Sequence, residues 1–257
     1  MNNPDPLLAV DISADYPGKR EVLQRVRFVI HSGEIMGLIG QSGSGKSTIA
    51  LAVLRLLELR GGRVSGTIQF AGQDLMACDE RALRQIRGRE IGLVLQSPMS
   101  ALNPALRIET QFREAWRAHR CESWKSARGE VQDLLREMGL PADDSFLRRY
   151  PRQLSVGQAQ RVVIGMAVMH RPRLLIADEA TSALDPASQI DILDLFRRLN
   201  RDRKMSILYV SHDLPSVAQL CHVVGVLRDG RLIECGPVQQ RLPADTNLAS
   251  LGLFVRA

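Results

Sequence analysis

The chain has 257 residues, 45% of them hydrophobic, and 34 Lys and Arg against 28 Asp and Glu give a net charge of +6. This length and balance describe a soluble globular protein of one or two domains with enough residues to bury a full core. A positive charge is compatible with nucleic acid, acidic lipid or phosphate ligands, but the densest basic stretch, "FREAWRAHRCESWKSAR", reads as the wet face of an ordinary helix, so no nucleic-acid partner is expected.

In chain order, "MNNPDPLLAV" lacks the basic and then apolar pattern of a secretory signal, and apolar runs such as "LLIA" are far too short to span a bilayer. The expectation is a chain that stays in the cytosol unless another component holds it to a membrane. Residues 7–39 hold three extended candidates, "LLAVDI", "VLQRVRFVI" and "EIMGLIG", parted by "DYPGKR" and "HSG", which predicts an antiparallel hairpin region feeding a buried strand. After Gly45 the pattern turns helical, with "KSTIALAVLRLL" running to the "RGG" breaker, and strands follow at "GTIQFAG" and "IGLVLQ".

Ile108, Phe112, Ala115, Trp116 and His119 then repeat at helical spacing, as do Val131, Leu134, Leu135 and Met138. They predict a mainly helical insert over about residues 97–153 inside a single domain of residues 1–257. Strand and helix alternate again through "RLLIAD", "PASQIDILDLFRRLNRD" and "MSILYVSHD", the signature of a parallel sheet with crossover helices. A hairpin, "HVVGVLRDGRLIECG", turns at Asp229-Gly230, and the final "ADTNLASLGLFVRA" is uninformative. Cys78, Cys121, Cys221 and Cys235 form no C-x-x-C pair and have no histidine at metal-ligand spacing, so free thiols in a reducing compartment are predicted, with neither disulfides nor zinc.

Residues 40–47, "GQSGSGKS", match G-x-x-x-x-G-K-[ST] between a predicted strand and a predicted helix, the context that motif needs. Gly40, Gly43 and Gly45 can take positive φ and carry no Cβ, so consecutive N–H groups can point at phosphate oxygens. Lys46 supplies a mobile positive charge, Ser47 a hydroxyl for Mg²⁺, and the helix its positive dipole end. Farther on, "LLIADE" sets Asp178 at the end of a buried strand, where ligands of parallel sheets collect, and Glu179 just beyond it. Asp178 can hold Mg²⁺ through its waters and Glu179 can polarise an attacking water, although such a pair can equally cap the next helix.

With these motifs in place the chain resembles the nucleotide-binding subunit of an ATP-binding cassette (ABC) transporter. Seven stretches fall in that family's order: "DYPGKREVL", "GQSGSGKS", "LQSPMSALNP", "LSVGQAQR", "LLIADEA", "SALD" and "VSHD". The resemblance implies an α/β fold: a P-loop NTPase core with a mostly parallel sheet, an antiparallel β subdomain at the amino terminus and a helical insert. It implies ATP and Mg²⁺ as cofactors, with Tyr16 stacking on adenine. Gly40, Gln41, Ser42, Gly43, Ser44, Gly45, Lys46, Ser47 and Thr48 would wrap the phosphates. Ser47, Gln96 and Asp178 would attend the metal, and Glu179, His212 and Lys46 would serve catalysis.

The same resemblance implies that Ser155, Gly157 and Gln158 of the signature stretch, with Asp185 of "SALD", bind or communicate with the nucleotide of a partner copy in a head-to-tail dimer. By residue type, Ser155 and Gln158 also predict a capping box, and Asp185 a helix cap followed by Pro186. Val156 stands where the family's usual motif has glycine; a β-branched side chain there is expected to crowd a phosphate and to forbid glycine-only angles, giving a working but slower site. Ala180 likewise replaces a common proline.

"LQSPMSALNP" is especially similar to the peptide, nickel and opine importers. It implies two membrane permease subunits, a second ATPase subunit, an extracytoplasmic binding protein acting indirectly, and a peripheral place on the cytoplasmic side of a bacterial inner membrane. The helical insert and the segment after Gln96 would receive the permeases. The cysteine-bearing extension of many members of that group is not seen after the last strand. A non-transport ATPase of the same fold is the alternative, but the double cassettes, heptad arms and zinc-type cysteine pairs of such relatives are not seen.

Overall fold

The structure, a computed structural model, describes residues 5–241; the uninformative tail lies outside the described residues. The chain opens with two long strands, β1 (Leu8–Tyr16) and β2 (Lys19–Ile30), paired antiparallel with Leu8 opposite Ile30 and Ile12 opposite Val26. Two irregularities bend the pair beyond Ile12, where Glu21 and Arg25 adopt left-handed φ of 54° and 47°. Ser13 Oγ accepts from the Arg25 N–H at 3.0 Å and the Asp15 carboxylate from the Glu21 N–H, so the freed donors are satisfied.

The chain then enters β3 (Ile35–Gly40), buried at every residue, and turns through the glycine-rich loop into α1 (Lys46–Val53). Helix α1 ends earlier than its apolar run predicts, four residues short of Leu57. The helix is closed by Arg55 at a left-handed φ of 53°, with its N–H donating to Ala52 O (2.9 Å) and the Leu56 N–H to Leu51 O (2.9 Å), and Arg87, more than thirty residues away, donates to the carbonyls so freed, Leu54 O (2.7 Å) and Arg55 O (3.0 Å).

Strands β4 (Arg63–Phe70) and β5 (Gln73–Asp74) complete a four-stranded antiparallel sheet, and α2 (Glu80–Ile86), capped by Asp79, leads to β6 (Ile91–Val94). Between β6 and the next strand lie helices alone: α3 (Pro98–Ala101), α4 (Ile108–Arg117), α5 (Trp124–Glu137), α6 (Asp144–Leu147) and α7 (Val156–Val168), with one 3₁₀ turn. The basic stretch is therefore not the face of one helix. It is split between α4 and α5, with His119 beyond the end of α4, because α4 buries Phe112 and Trp116 and the chain must turn back to lay Val131 and Leu135 on the same core.

The predicted strand, helix, strand and final hairpin follow as β7 (Leu174–Asp178), α8 (Pro186–Arg203), β8 (Ser206–Val210), β9 (Val223–Arg228) and β10 (Arg231–Pro237), with two further helices that the pattern did not predict, α9 (Leu214–Leu220) before β9 and α10 (Val238–Arg241) after β10. The larger sheet runs β10-β9-β3-β8-β7-β6, parallel except at β10. Both faces of its parallel strands are covered, so those strands read as largely apolar runs, whereas the edge strand β10 stays half-exposed. Ile35, Ile39, Leu175 and Tyr209 join the core shared with the helical region, while their neighbours Met36, Leu38, Ile176 and Val210 join the core beneath α1 and the antiparallel sheet. Each fully buried aliphatic side chain of this kind contributes about 1.5–3 kcal/mol. Strand order reverses at β3, and the glycine-rich loop leaves the sheet there.

Candidate functional site

The loop after β3 is shaped by two different uses of glycine. Gly43 and Gly45 take left-handed φ of 79° and 109°, as expected. Gly40 does not: it has no positive φ, and a Cβ there would come within 2.2 Å of Leu227 O and 2.7 Å of Ser44 Oγ. Its small size lets the loop pack against the turn of the final hairpin, where Gly230 N–H donates to Ser44 O (3.1 Å). Helix α1 therefore starts from Gly45 with no side chain accepting from its first N–H groups. Such an N-terminus is suited to an anion.

Lys46 is buried, its Nζ donating to Gly40 O (2.8 Å) and Gln41 O (2.9 Å), so the ammonium is tied to the loop rather than mobile. Burial lowers its pKa, against the carboxylates of Glu179 and Asp178, which raise it. Ser47 Oγ donates to Asp178 Oδ1 at 3.1 Å, joining α1 to the end of β7 across 131 positions of sequence. Asp178 is buried, and desolvation raises its pKa against the lowering effect of the Ser47 hydrogen bond.

Glu179 has φ 49°, a conformation costing an L-residue about 1–2 kcal/mol. It is held there by its N–H to Val210 O (2.9 Å) and by Ser182, which donates to its carbonyl through both N–H (3.1 Å) and Oγ (3.0 Å). Strain so fixed at the mouth of a cleft aims the carboxylate rather than merely ending a strand. Neither acid caps the following helix; Asp185 does, accepting from the Ser188 N–H at 3.0 Å and Oγ at 2.6 Å, which lowers the pKa of its carboxyl.

One cavity of about 330 Å³ gathers these groups, with Ser42, Lys46, Ser47 and Thr48 on the loop side and Gln96 and Glu179 opposite. Tyr16, at the end of β1, and Val22 close its outer edge. Val22 escaped sequence reasoning because an apolar residue in a strand carries no functional signal. Gln41 is exposed, and Ser44 is buried with its Oγ unpartnered; neither lines the cavity. His212 stands outside it, with Nδ1 3.4 Å from Glu179 Oε1.

The signature residues Ser155, Gly157 and Gln158, and Asp185, do not line this cavity. Ser155 caps α7 in the predicted box, with Gln158 N–H to Ser155 Oγ and Ser155 N–H to Gln158 Oε1 both at 3.2 Å. Val156 is the first residue of α7 and has no positive φ, so the expected conflict with glycine-only angles does not arise. What remains is bulk, since its side chain is 45% exposed on the helix end. A Cβ on Gly157 would make only ordinary contact, 3.5 Å, with Ser188 Oγ.

The sequence pattern of the ABC transporter family matches residues 23–182. A putative peptide import ATP-binding protein of Brucella ovis is 42% identical over 235 residues, which take in 89% of this chain and 70% of that protein. The peptidoglycan transport ATP-binding protein YejF of Agrobacterium fabrum is 41% identical over 243 residues; these are 93% of this chain but 44% of YejF, so the chain spans less than half the length of that relative. Among solved structures, a dimeric ATP-binding cassette in a post-hydrolysis state bound to ADP and Pi aligns with a TM-score of 0.77 at 25% identity, over 90% of this chain and 98% of that one. With the glycine-rich loop, the Asp178–Glu179 pair and the capped signature helix in the family's order, the chain belongs to the ABC transporter family as one of its ATP-binding cassettes.

Proposed function

We propose that this chain binds and hydrolyses ATP to power an importer in a bacterial inner membrane, seated peripherally on the cytoplasmic side against two permease subunits. The observation that carries this reading is the single cavity in which an uncapped helix start, Lys46, Ser47, Gln96 and Glu179 meet, with Asp178 hydrogen-bonded to Ser47. No described helix is long and apolar enough to cross a membrane, so translocation falls to partner subunits fed by an extracytoplasmic binding protein.

The phosphates of ATP lie along the first N–H groups of α1 and the Gly43–Gly45 loop, with Tyr16 against the base. Lys46 exchanges its bonds to Gly40 and Gln41 carbonyls for phosphate oxygens, a trade made easier because burial already disfavours its charge. Ser47, Asp178 and Gln96 offer only oxygen donors, which suits a hard divalent ion; Mg²⁺ held there supplies charge neutralisation on the phosphates. Glu179 orients a water for in-line attack and accepts its proton, and His212, 3.4 Å away, steadies that carboxylate and faces the γ-phosphate. Ser155 and the α7 helix end of a second subunit, the same or a homologous chain, complete the γ-phosphate site in a head-to-tail dimer, and Asp185 links the two sites.

The substrate class is peptide: the two relatives above are named for peptide import and peptidoglycan transport, which favours peptides over nickel or metal-opine chelates within the group that the "LQSPMSALNP" stretch resembles. The decisive variant is Glu179→Gln. It should retain ATP binding while phosphate release falls by about 10²–10⁴, the usual cost of a lost general base. Near-normal turnover would reject the assignment.

A further inference from the structure

Tyr209 of β8 does more than fill space. It is fully buried and meets Phe196 edge-on, with ring centres 6.2 Å apart, a packing role that phenylalanine would serve as well. Yet its hydroxyl lies 2.9 Å from Thr181 Oγ1 and donates to Ser216 Oγ at 3.2 Å, both partners being buried too. Ser216 Oγ in turn donates to Asp213 O at 2.8 Å. Each hydroxyl has one proton, so with those of Ser216 and Tyr209 committed, Thr181 is the donor to Tyr209. The result is a one-way chain from Thr181 through Tyr209 and Ser216 to the Asp213 carbonyl. Burial raises the pKa of the phenol against its hydrogen bonds with Ser216, Thr181 and Ser211, so it stays a hydroxyl and the chain stays intact.

The two ends of that chain lie on loops that leave neighbouring strands. Thr181 follows Glu179 beyond the end of β7, and Asp213 adjoins His212 beyond the end of β8. At strand level the loops share a backbone bond, Glu179 N–H to Val210 O. Farther out, Gln189 Nε2 of α8 donates to the Asp213 carboxylate (2.7 Å), which also caps α9 through the Ser216 N–H. His212 stands among these anchored residues. Its own side chain is 59% exposed, so packing does not fix the 3.4 Å approach of its Nδ1 to Glu179 Oε1. The loops set that distance. Breaking a buried hydroxyl chain leaves unpaired donors away from water, which opposes any slippage of one loop past the other.

We propose that Tyr209 is a positioning residue for the hydrolytic pair: its hydroxyl ties the loop of Glu179 to the loop of His212 and so holds carboxylate and imidazole in register. The proposal deepens the hydrolysis reading and rests on it for the reaction, but its geometric content concerns only how two side chains of this chain are held. Tyr209 does not line the nucleotide cavity and acts through those two loops.

The test is Tyr209→Phe, which keeps the ring and removes the oxygen. ATP affinity and KM should stay within about twofold while kcat falls about tenfold, the scale of a small misplacement of reacting groups. Thr181→Val should do the same. Phe196→Leu, which loosens the ring and leaves the hydroxyl, should lower the melting temperature with kcat unchanged. In a His212→Ala background Tyr209→Phe should have no further effect on turnover, because the pair it holds is already gone. Unchanged kcat in Tyr209→Phe, or an equal fold loss with and without His212, overturns the proposal. A readout free of turnover is the His212 ring signal in NMR of histidine-labelled protein: Glu179→Gln should move it in the parent and leave it nearly unmoved in Tyr209→Phe. Equal displacement in both overturns the proposal as well. A parent without ATPase activity that still shows the NMR difference would instead sink the hydrolysis reading and leave the positioning role of Tyr209 standing.

Discussion

Two helix starts in this molecule solve the same problem in opposite ways. At α1 the first N–H groups meet no side-chain acceptor, the preceding residue is a left-handed glycine, and the surroundings are a cleft. At α7 the box of Ser155 and Gln158 satisfies two of the orphan donors, and the end is exposed with Val156 projecting from it. Both present the positive end of a helix dipole, but only α1 needs an anion to complete its own chain. The capped start is stable without ligand and can be offered to a phosphate that another copy already holds. In the proposed function that division gives binding to the α1 start and completion to the α7 start.

The largest blow to this contrast, after Glu179→Gln, should come from Gly45→Ala. Alanine at φ 109° would be strained by about 1–2 kcal/mol, with its Cβ 2.6 Å from Leu23 Cδ2. Equilibrium binding should show a loss of ATP affinity of about tenfold or more, whereas unaltered affinity would mean that the α1 start does not cradle phosphate. Ser155→Ala should cost about 1 kcal/mol of stability on thermal melting and weaken nucleotide-dependent association, with ATP affinity of the single chain unchanged. A fall in single-chain affinity would erase the distinction between the two ends.

Asp178 sharpens the contrast through pH. Desolvation raises its folded-state pKa above the unfolded value, so the folded chain binds that proton more readily. Stability is then gained as pH falls through the folded pKa and lost as pH rises across the interval between the two values. Asp178→Asn should flatten that slope and raise the melting temperature at neutral pH in the absence of nucleotide, while Mg²⁺-dependent turnover is lost. A lower melting temperature would show that the charge is stabilising in place. The smallest effect is expected from Val156→Gly. It should lower helix stability by about 0.5 kcal/mol or less and tighten association a few-fold by removing bulk, as read by sedimentation with ATP present.

The phosphate loop, the two acids and the capping box were legible because each is a local spacing whose geometry follows from neighbouring residues. Other features depended on distant groups. The early end of α1 is set by the left-handed Arg55 and supported by Arg87 on the carbonyls it frees, and the close fit at Gly40 is set by Leu227 O, so of the two reasons offered for Gly40 the missing Cβ holds and the positive φ does not. The break between α4 and α5 falls where the chain must fold back onto a shared core, which a count of basic residues does not register. Val156 shows a limit of a different kind: substitution of a family glycine suggested forbidden angles, but the position is plain helix and only its exposed bulk matters. Helix α2 was not foreseen at all, although Asp79 with the Ala82 N–H at 2.8 Å is an ordinary cap signal.

The central claim is that the α1 cavity of one copy and the α7 start of another make one catalytic site. Its most direct test is ATP turnover per molecule across a wide range of protein concentration, with association followed in the same samples. Turnover per molecule should climb with concentration and level off as dimers saturate; full turnover from strictly monomeric protein, unchanged by dilution, would contradict it.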